Sequence, residues 1–283
     1  GSLKFGFFKL CVAEFLNCLL AFFWFFYIII NSSLVGENME RLQKVIAQGG
    51  ICSRRKAEEL IALGKVQVNN EVITQMGFKV SAKDVVTVDG VIVERLEYKY
   101  LVMNKPRYVI SSVSDEHQRQ TVISILPEAL QKYHLFPIGR LDYDTKGVLL
   151  LTNDGDFMNT LVGPKSQITK EYLVRVKGLI SKPILRKLEQ GIKIDDYVTR
   201  KCQTYLVSTD VKNRSSLAGI ILMEGKYHQV KKMFAAVGYP VKRITRIKFG
   251  EISIDGLEEG QYRDLTPHEI KRLYVLSQGK SSD

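Results

Sequence analysis

Two segments near the beginning of the chain carry apolar residues at the three- and four-residue spacing of a helix that packs on a core. One starts at Met39 (MERLQKVIAQGG) and the other at Ser53 (SRRKAEELIALGK). Gly49-Gly50 ends the first helix, and the Ser53 hydroxyl can cap the second by accepting hydrogen bonds from its first-turn amides. KVQVNNEVI then alternates around Asn69-Asn70, which predicts a β-hairpin.

Further along, short apolar runs outnumber segments with helical periodicity. The runs that predict strands are Ser81–Val88, Tyr100–Met103, Val148–Leu151, Tyr172–Val176 and Leu217–Met223. The segments that predict helices are Pro183–Gln190 and Tyr227–Val237. Leu96–Lys99 is typical of the end of a short linker, so we expect a small module over 39–98 and a large one over 99–283.

Residues 1–38 form a hydrophobic leader. From Phe15 to Ile30 sixteen residues carry no charge, and Lys4 and Lys9 precede them. Crossing a bilayer takes roughly 20 apolar residues, so the stretch is near the lower limit. Three interpretations stay open: a membrane anchor, an export signal, or a segment outside the working protein because translation starts at Met39. The third is favoured because the first helical pattern opens at Met39 itself, and membrane contact is expected only if the leader is retained.

The excess positive charge lies almost entirely in the large module. The whole chain has 41 Lys and Arg against 30 Asp and Glu, a net charge of +11. Residues 99–283 hold 30 against 20, a net +10, whereas residues 39–98 hold 9 against 8. The densest basic stretch is 224–248, with seven Lys and Arg and one carboxylate. An excess of this kind indicates a polyanionic partner.

The residues that usually bind metals or cofactors follow no recognisable pattern. Cys11, Cys18, Cys52 and Cys202 lack the paired spacing of a zinc site and are too few for a disulfide framework. The chain also has no glycine-rich phosphate loop, and its four His are scattered. We therefore expect neither a metal nor a small-molecule cofactor.

The small module resembles the S4 RNA-binding domain in its order of two helices and a hairpin and in the sequence ICSRRKAEELIALGKVQVNN from Ile51. The resemblance covers about 50 residues and implies that a basic helix face contacts RNA phosphates, which position the ligand without reading its sequence. The residues expected on that face are Arg54, Arg55, Lys56 and Lys65.

The large module resembles the pseudouridine synthases, in particular the branch that modifies ribosomal RNA and carries an S4 domain in front. The central motif is GRLDYDTKGVLLLTNDGDF from Gly139, preceded by MNKPR from Met103 and followed by KEYLV from Lys170 and EGKYHQVKKMFAAVG from Glu224. Tyr108 departs from the pattern, since the family usually has glycine there. The resemblance implies an α+β fold whose catalytic domain is a mixed, mainly antiparallel β-sheet with flanking helices.

The same resemblance implies the roles of three residues. Asp142 would be the essential carboxylate, either attacking the sugar C1′ or removing the 2′ proton. Tyr172 would stack on the uracil ring and assist at C5. Lys231 would be the basic partner that keeps Asp142 ionised, because burial alone raises the pKa of a carboxyl group. The reaction breaks one bond between base and sugar and rejoins the same base through C5, so no cofactor is required.

Further basic residues are expected to contact the RNA. Arg140 would fill the gap left when the target nucleotide leaves its stack, an extrusion that costs a few kcal/mol. The other candidates are Lys105, Lys226, His228, Lys232, Lys242, Arg243 and Arg246. The expected partner is ribosomal RNA or a pre-ribosomal particle, the expected location cytoplasmic, and the expected state monomeric.

Two other functions are weighed. Asp142-Tyr143-Asp144-Thr145 fits the Asp-x-Asp-x-Thr string of magnesium phosphatases, but here it precedes an apolar strand rather than a helix. A non-catalytic S4-type RNA-binding protein is the other alternative, and the presence of Asp142, Tyr172 and Lys231 together counts against it. The start of the S4-like module is similar to large-subunit enzymes, whereas EGKYHQVKKMFAAVG from Glu224, which is the third motif of the family, is similar to the small-subunit enzyme. Of the two ribosomal RNAs, 23S is favoured over 16S.

Overall fold

A computed structural model describes residues 39–279, and the hydrophobic leader lies outside the described residues. Contacts divide the chain into two units, and the boundary along the sequence lies between Arg95 and Leu96. Within residues 39–279, no helix is both long enough and apolar enough to cross a membrane.

The small unit packs two helices on short strands. The helices are α1 (Leu42–Gln48) and α2 (Arg54–Ala62), and the strands are β1 (Glu40–Arg41), β2 (Val66–Val68), β3 (Glu71–Val72), β4 (Lys79–Val80), β5 (Val86–Val88) and β6 (Val91–Ile92). The apolar helix positions are buried in one core with the inward valines of β2 and β5. The order β3-β2-β5-β6 forms an antiparallel sheet.

The helix cap and the hairpin turn predicted for this unit are both present. Ser53 accepts a hydrogen bond from the Lys56 amide at 3.2 Å and so caps α2. Asn69 and Asn70 both have positive φ, 51° and 68°, which is the backbone of a two-residue hairpin turn between β2 and β3. The prediction of a strand over Ser81–Val88 is only partly right. The Ser81 amide donates to the Asp84 carboxylate and forms a turn, so that only the end of the predicted strand, β5, is extended.

The large unit is built on a nine-stranded mixed sheet. Its central order is β13-β14-β10-β15-β9-β7-β17, with β8 paired to β9 and β16 paired to β15. Only β9 and β15 pair in parallel, so the sheet is mainly antiparallel, as expected. The strands are β7 (Tyr100–Lys105), β8 (Phe136–Ile138), β9 (Lys146–Thr152), β10 (Lys170–Lys177), β13 (Gln203–Asp210), β14 (Ser215–Leu222), β15 (Val241–Phe249), β16 (Ile252–Ser253) and β17 (Tyr262–Asp264), while β11 (Lys193–Ile194) and β12 (Tyr197–Val198) form a separate hairpin.

Between Leu96 and Gly279, the helices that flank the sheet are α3 (Glu128–Gln131), α4 (Gly155–Val162), α5 (Lys182–Glu189), α6 (Gln229–Ala236) and α7 (Pro267–Ser277). The predicted helices at 183–190 and 227–237 correspond to α5 and α6, and α6 buries Val230, Met233 and Phe234. Helix α4 was not predicted from the sequence. It begins after β9 because the Asp154 carboxylate accepts hydrogen bonds from the amides of Asp156 and Phe157 and caps the helix.

Candidate active site

The loop between β8 and β9 brings Asp142 to a cavity of about 350 Å³. Strand β9 is buried from Gly147 to Thr152 and starts directly after the loop, so the carboxylate stands at the end of a rigid element. Gly147 makes this junction possible. Its φ is +119°, and a Cβ there would lie 2.0 Å from the Arg246 carbonyl oxygen of β15.

Three side chains predicted to act together do meet at this cavity. Asp142 comes from the β8–β9 loop, Tyr172 from β10 and Lys231 from α6, and all three line the wall. Tyr172 is only 9% exposed, and it lines the cavity from β10. A carboxylate, a cation and an aromatic ring therefore face one space, which can hold a polar, planar ligand.

Lys231 joins two carboxylates of the loop. Its ammonium nitrogen lies 3.2 Å from Asp142 Oδ2 and 2.7 Å from Asp144 Oδ1. Burial alone would lower the pKa of Lys231, but the hydrogen bond to Asp144 and the two negative charges outweigh it and raise the pKa. The same contact lowers the pKa of Asp144 against the opposite effect of burial. An ammonium group thus sits between the carboxylates of Asp142 and Asp144, where a phosphatase would hold magnesium.

His228 approaches the same carboxylate from the beginning of α6. Its Nε2 lies 3.6 Å from Asp142 Oδ1, and its ring stacks on the exposed ring of Tyr227 with centroids 3.8 Å apart. The preceding turn is fixed by Gln229, whose side chain donates to Glu224 at 2.6 Å and accepts from the Lys226 amide at 2.9 Å. The third motif therefore builds a rigid turn that aims His228 and Lys231 at Asp142.

Lys105 stabilises the β8–β9 loop from its buried side. The side chain is fully buried, and its ammonium group donates to the carbonyl oxygens of Pro106, Asp142 and Thr145 at 3.0, 3.3 and 2.9 Å. Burial lowers the pKa of Lys105 to about 8, although the charges of Asp144 and Asp142 oppose the shift. The expectation that Lys105 contacts RNA is wrong, because β7 carries this side chain inward beneath the loop.

Arg246 is also buried, which corrects its assignment to an RNA-binding surface. It is 2% exposed, donates from Nε to the Val148 carbonyl at 2.7 Å, and lies over the Phe249 ring. Its Nη2 has no hydrogen-bond partner. Since Arg246 is the cross-strand partner of Tyr172, it forms part of the cavity wall beside that ring.

Lys170 is a cavity residue that the sequence reasoning missed. It lies two positions before Tyr172 on β10, and alternate residues of a strand share a face. Its ammonium group donates to the Met223 carbonyl at 3.3 Å, and burial together with the nearby charge of Arg246 lowers its pKa to about 8. The sequence could have indicated this position, because Lys170 lies in KEYLV two residues before the predicted aromatic residue.

The other predicted RNA contacts are dispersed. Arg140, Lys226 and His228 line the cavity, and Lys226 lies over the Tyr197 ring at 3.4 Å. Lys232 forms an ion pair with Asp195, and Lys242 and Arg243 are exposed at the beginning of β15. In the small unit Arg54, Arg55, Lys56 and Lys65 are all exposed, with Lys56 paired to Glu59 at 2.7 Å and Lys65 to Asp89 at 3.6 Å.

Comparison with known proteins gives matches over nearly all the described residues. The family described as RNA pseudouridylate synthase matches residues 99–236, and the S4 domain matches residues 40–86. The chain is 47% identical over 239 residues to the ribosomal large subunit pseudouridine synthase B of Bacillus subtilis (strain 168), covering 84% of this chain and 97% of that protein. It is 34% identical over 253 residues to the dual-specificity RNA pseudouridine synthase RluF of Escherichia coli (strain K12), covering 88% and 83% of the two chains.

A solved structure is also similar. A crystal structure of a pseudouridylate synthase superposes with a TM-score of 0.58 at 30% identity, covering 82% of this chain and 99% of that one. The Asp-x-Asp-x-Thr string thus lies in a chain whose sequence and fold both match synthases, and the phosphatase interpretation is not supported.

Proposed function

This chain belongs to the RNA pseudouridylate synthase family, and from that premise we propose that it converts uridine to pseudouridine in ribosomal RNA through the cavity at Asp142. The observation that carries the proposal is the meeting of Asp142, Tyr172 and Lys231 at one cavity although they lie on three separate elements. The 47% identity to a large-subunit enzyme supports 23S ribosomal RNA as the substrate.

Asp142 acts on the sugar of a uridine that has left its stack. Lys231 orients this carboxylate and balances its charge, because the ammonium group contacts it at 3.2 Å. Asp144 holds Lys231 from the other side. Loss of the ammonium group would remove the contact that holds the Asp142 carboxylate in place.

Tyr172 stacks on the uracil and restricts the orientation of the base after its bond to C1′ is broken. The base must turn before C5 can bond to the sugar, so the wall has to retain it without fixing it rigidly. A buried aromatic ring offers this, since stacking holds a planar base while leaving rotation in the plane possible. Arg140, exposed at the mouth, occupies the place that the extruded nucleotide leaves in the RNA.

The basic residues of the small unit bind the RNA backbone. Arg54, Arg55, Lys56 and Lys65 are exposed at the beginning of α2 and just before β2. Contacts of this type orient an RNA without reading its bases. A ribosomal substrate fits a monomeric enzyme working in the cytoplasm, where it meets ribosomal RNA or a pre-ribosomal particle.

The test compares pseudouridine formation by the purified full chain and two variants on unmodified 23S and 16S ribosomal RNA. We expect Asp142→Asn to abolish product while RNA binding stays close to that of the parent protein. Asp156→Asn is the matched control, because Asp156 lies in the same motif but is exposed in the first turn of α4. Product from Asp142→Asn at the parent rate would refute the proposal, and mapping the modified position identifies the substrate.

A further inference from the structure

Two tyrosines form an exposed aromatic pair beside the Asp142 loop. Tyr108 is 63% exposed and Tyr143 is 45% exposed, and their rings meet edge to face with centroids 5.6 Å apart. Neither ring lines the cavity that contains Tyr172. Yet Tyr143 directly follows Asp142, so this pair stands immediately outside the site of the reaction.

The pair is held rigidly. The Tyr108 amide donates to the Tyr143 carbonyl oxygen at 2.7 Å, which ties the segment after β7 to the catalytic loop. Arg119 lies over the Tyr143 ring, with the guanidinium carbon 6.0 Å from its centroid. Arg119 is itself fixed by two hydrogen bonds to the Asp115 carboxylate at 2.8 and 3.0 Å.

Folding does not account for Tyr108. Its φ is +64°, in the left-handed region where a bulky side chain is disfavoured. Its ring gains little from burial, since most of it faces solvent. A glycine would satisfy the backbone at this position without strain, so the stability of the loop gives no reason for an aromatic side chain here.

The surroundings favour a nucleic-acid base as the occupant. The proposed substrate is a nucleotide within an RNA strand, so its neighbours in the strand must lie just outside the cavity. Proteins bind unpaired bases by stacking them on aromatic rings and arginine planes. An edge-to-face pair with a guanidinium over one ring supplies both surfaces, and it lies beside a cavity that carries more cations than carboxylates.

We propose that Tyr108 and Tyr143 bind an unpaired base next to the target uridine. The inference rests on the proposed function, since it places the target at Asp142. The pair would hold the strand on one side of the extruded nucleotide, while Tyr172 holds the uracil itself. Because every base has a flat face, the site would select for unpaired structure more than for sequence.

The experiment measures how tightly the full chain binds short adenosine-rich RNAs with one central uridine. One RNA is intact, and two others lack the base on the 5′ or the 3′ side of the uridine while keeping every phosphate. Since stacking of one base on an aromatic ring contributes about 1–3 kcal/mol, Tyr108→Gly should weaken binding of the intact RNA about 5- to 150-fold. It should leave binding of one of the abasic RNAs nearly unchanged, which identifies the side that stacks.

Tyr108→Phe is the matched control, because it keeps the ring and removes only the hydroxyl, so its affinity should equal that of the parent. Equal losses by Tyr108→Gly on all three RNAs would overturn the proposal by showing a general loop effect, and so would no loss on any RNA. Absence of pseudouridine in ribosomal RNA treated with the parent protein would instead refute the proposed function, because the binding comparison does not depend on turnover.

Discussion

The ammonium nitrogen of Lys231 lies 3.2 Å from Oδ2 of Asp142 and connects helix α6 to the loop before β9. The contact is partly screened from water, with about a quarter of each side chain exposed. Electrostatic attraction is stronger here than at an open surface. The pair therefore holds helix α6 against the loop that carries Asp142.

Replacing Lys231 by Met should lower kcat by about 100-fold, on the scale of losing one preorganised electrostatic contact. Single-turnover rates of the parent and the variant would measure this loss. Lys231→Arg keeps the charge and should retain more activity than Lys231→Met. Similar rates for the parent and Lys231→Met would contradict this role.

The buried ammonium group of Lys105 should make stability depend on pH. Its pKa in the folded protein is about 8, below the ordinary lysine value of about 10.4. Between these values the unfolded chain binds a proton that the folded protein has released. The free energy of unfolding should therefore rise with pH across this window, by an amount on the order of 2–3 kcal/mol. Below pH 8 both states are protonated and the contribution of the shift is constant.

Denaturant unfolding of the full chain at several pH values between 7 and 9.5 would measure this rise. Lys105→Met should remove the contribution of Lys105 and also weaken the loop, because three carbonyl oxygens lose their donor. Lys170→Met is the comparison, since the pKa of Lys170 is also lowered to about 8. Each variant should flatten the curve in part. A curve in Lys105→Met as steep as in the parent would show that Lys105 does not titrate in this range.

The main elements of the fold were predictable because their signals are local. Ser53, the Asn69-Asn70 turn and the apolar face of α6 each act within a few residues of their own position. Asp142, Tyr172 and Lys231 were identified by motifs, each of which marks one element. Their meeting at one cavity agrees with that expectation.

The buried cations were not predictable, because their burial depends on distant strands. Lys105 points beneath the loop since β7 pairs with β9 in a register that sets Lys105 opposite Gly147. Arg246 enters the cavity wall because β15 sets it opposite Tyr172. A basic stretch in a sequence gives the charge of a segment but not which of its side chains face water. For this reason the sequence did not show that 226–248 contains both exposed and buried cations.

The salt dependence of RNA binding should separate these two kinds of cation. Each phosphate contact made by an exposed basic residue contributes roughly 0.7–0.9 to the slope of log K against log salt concentration. Arg55→Ala should therefore reduce the slope by up to about 1. Arg246→Met should leave it unchanged, because this guanidinium is buried. Titrations of ribosomal RNA at several salt concentrations would test the difference, and a slope change in Arg246→Met alone would reverse the assignment.

Gly147 should be the most sensitive glycine of the large unit to substitution by alanine, since it fixes the start of β9 against β15. The added Cβ would lie 2.0 Å from the Arg246 carbonyl oxygen, which no side-chain motion can relieve. We expect Gly147→Ala to lower the free energy of unfolding by at least about 3 kcal/mol and to lower activity by displacing the Asp142 loop. Thermal unfolding and pseudouridine formation would be measured together.

Gly238 provides the matched control for that substitution. Its φ is also positive, at +87°, but an added Cβ meets nothing within 4 Å. Gly238→Ala should therefore cost only the backbone strain of an alanine in the left-handed region, about 1–2 kcal/mol, and should leave activity intact below its unfolding temperature. If the two variants lost the same stability, the close approach of β9 to β15 would not be what requires glycine at position 147.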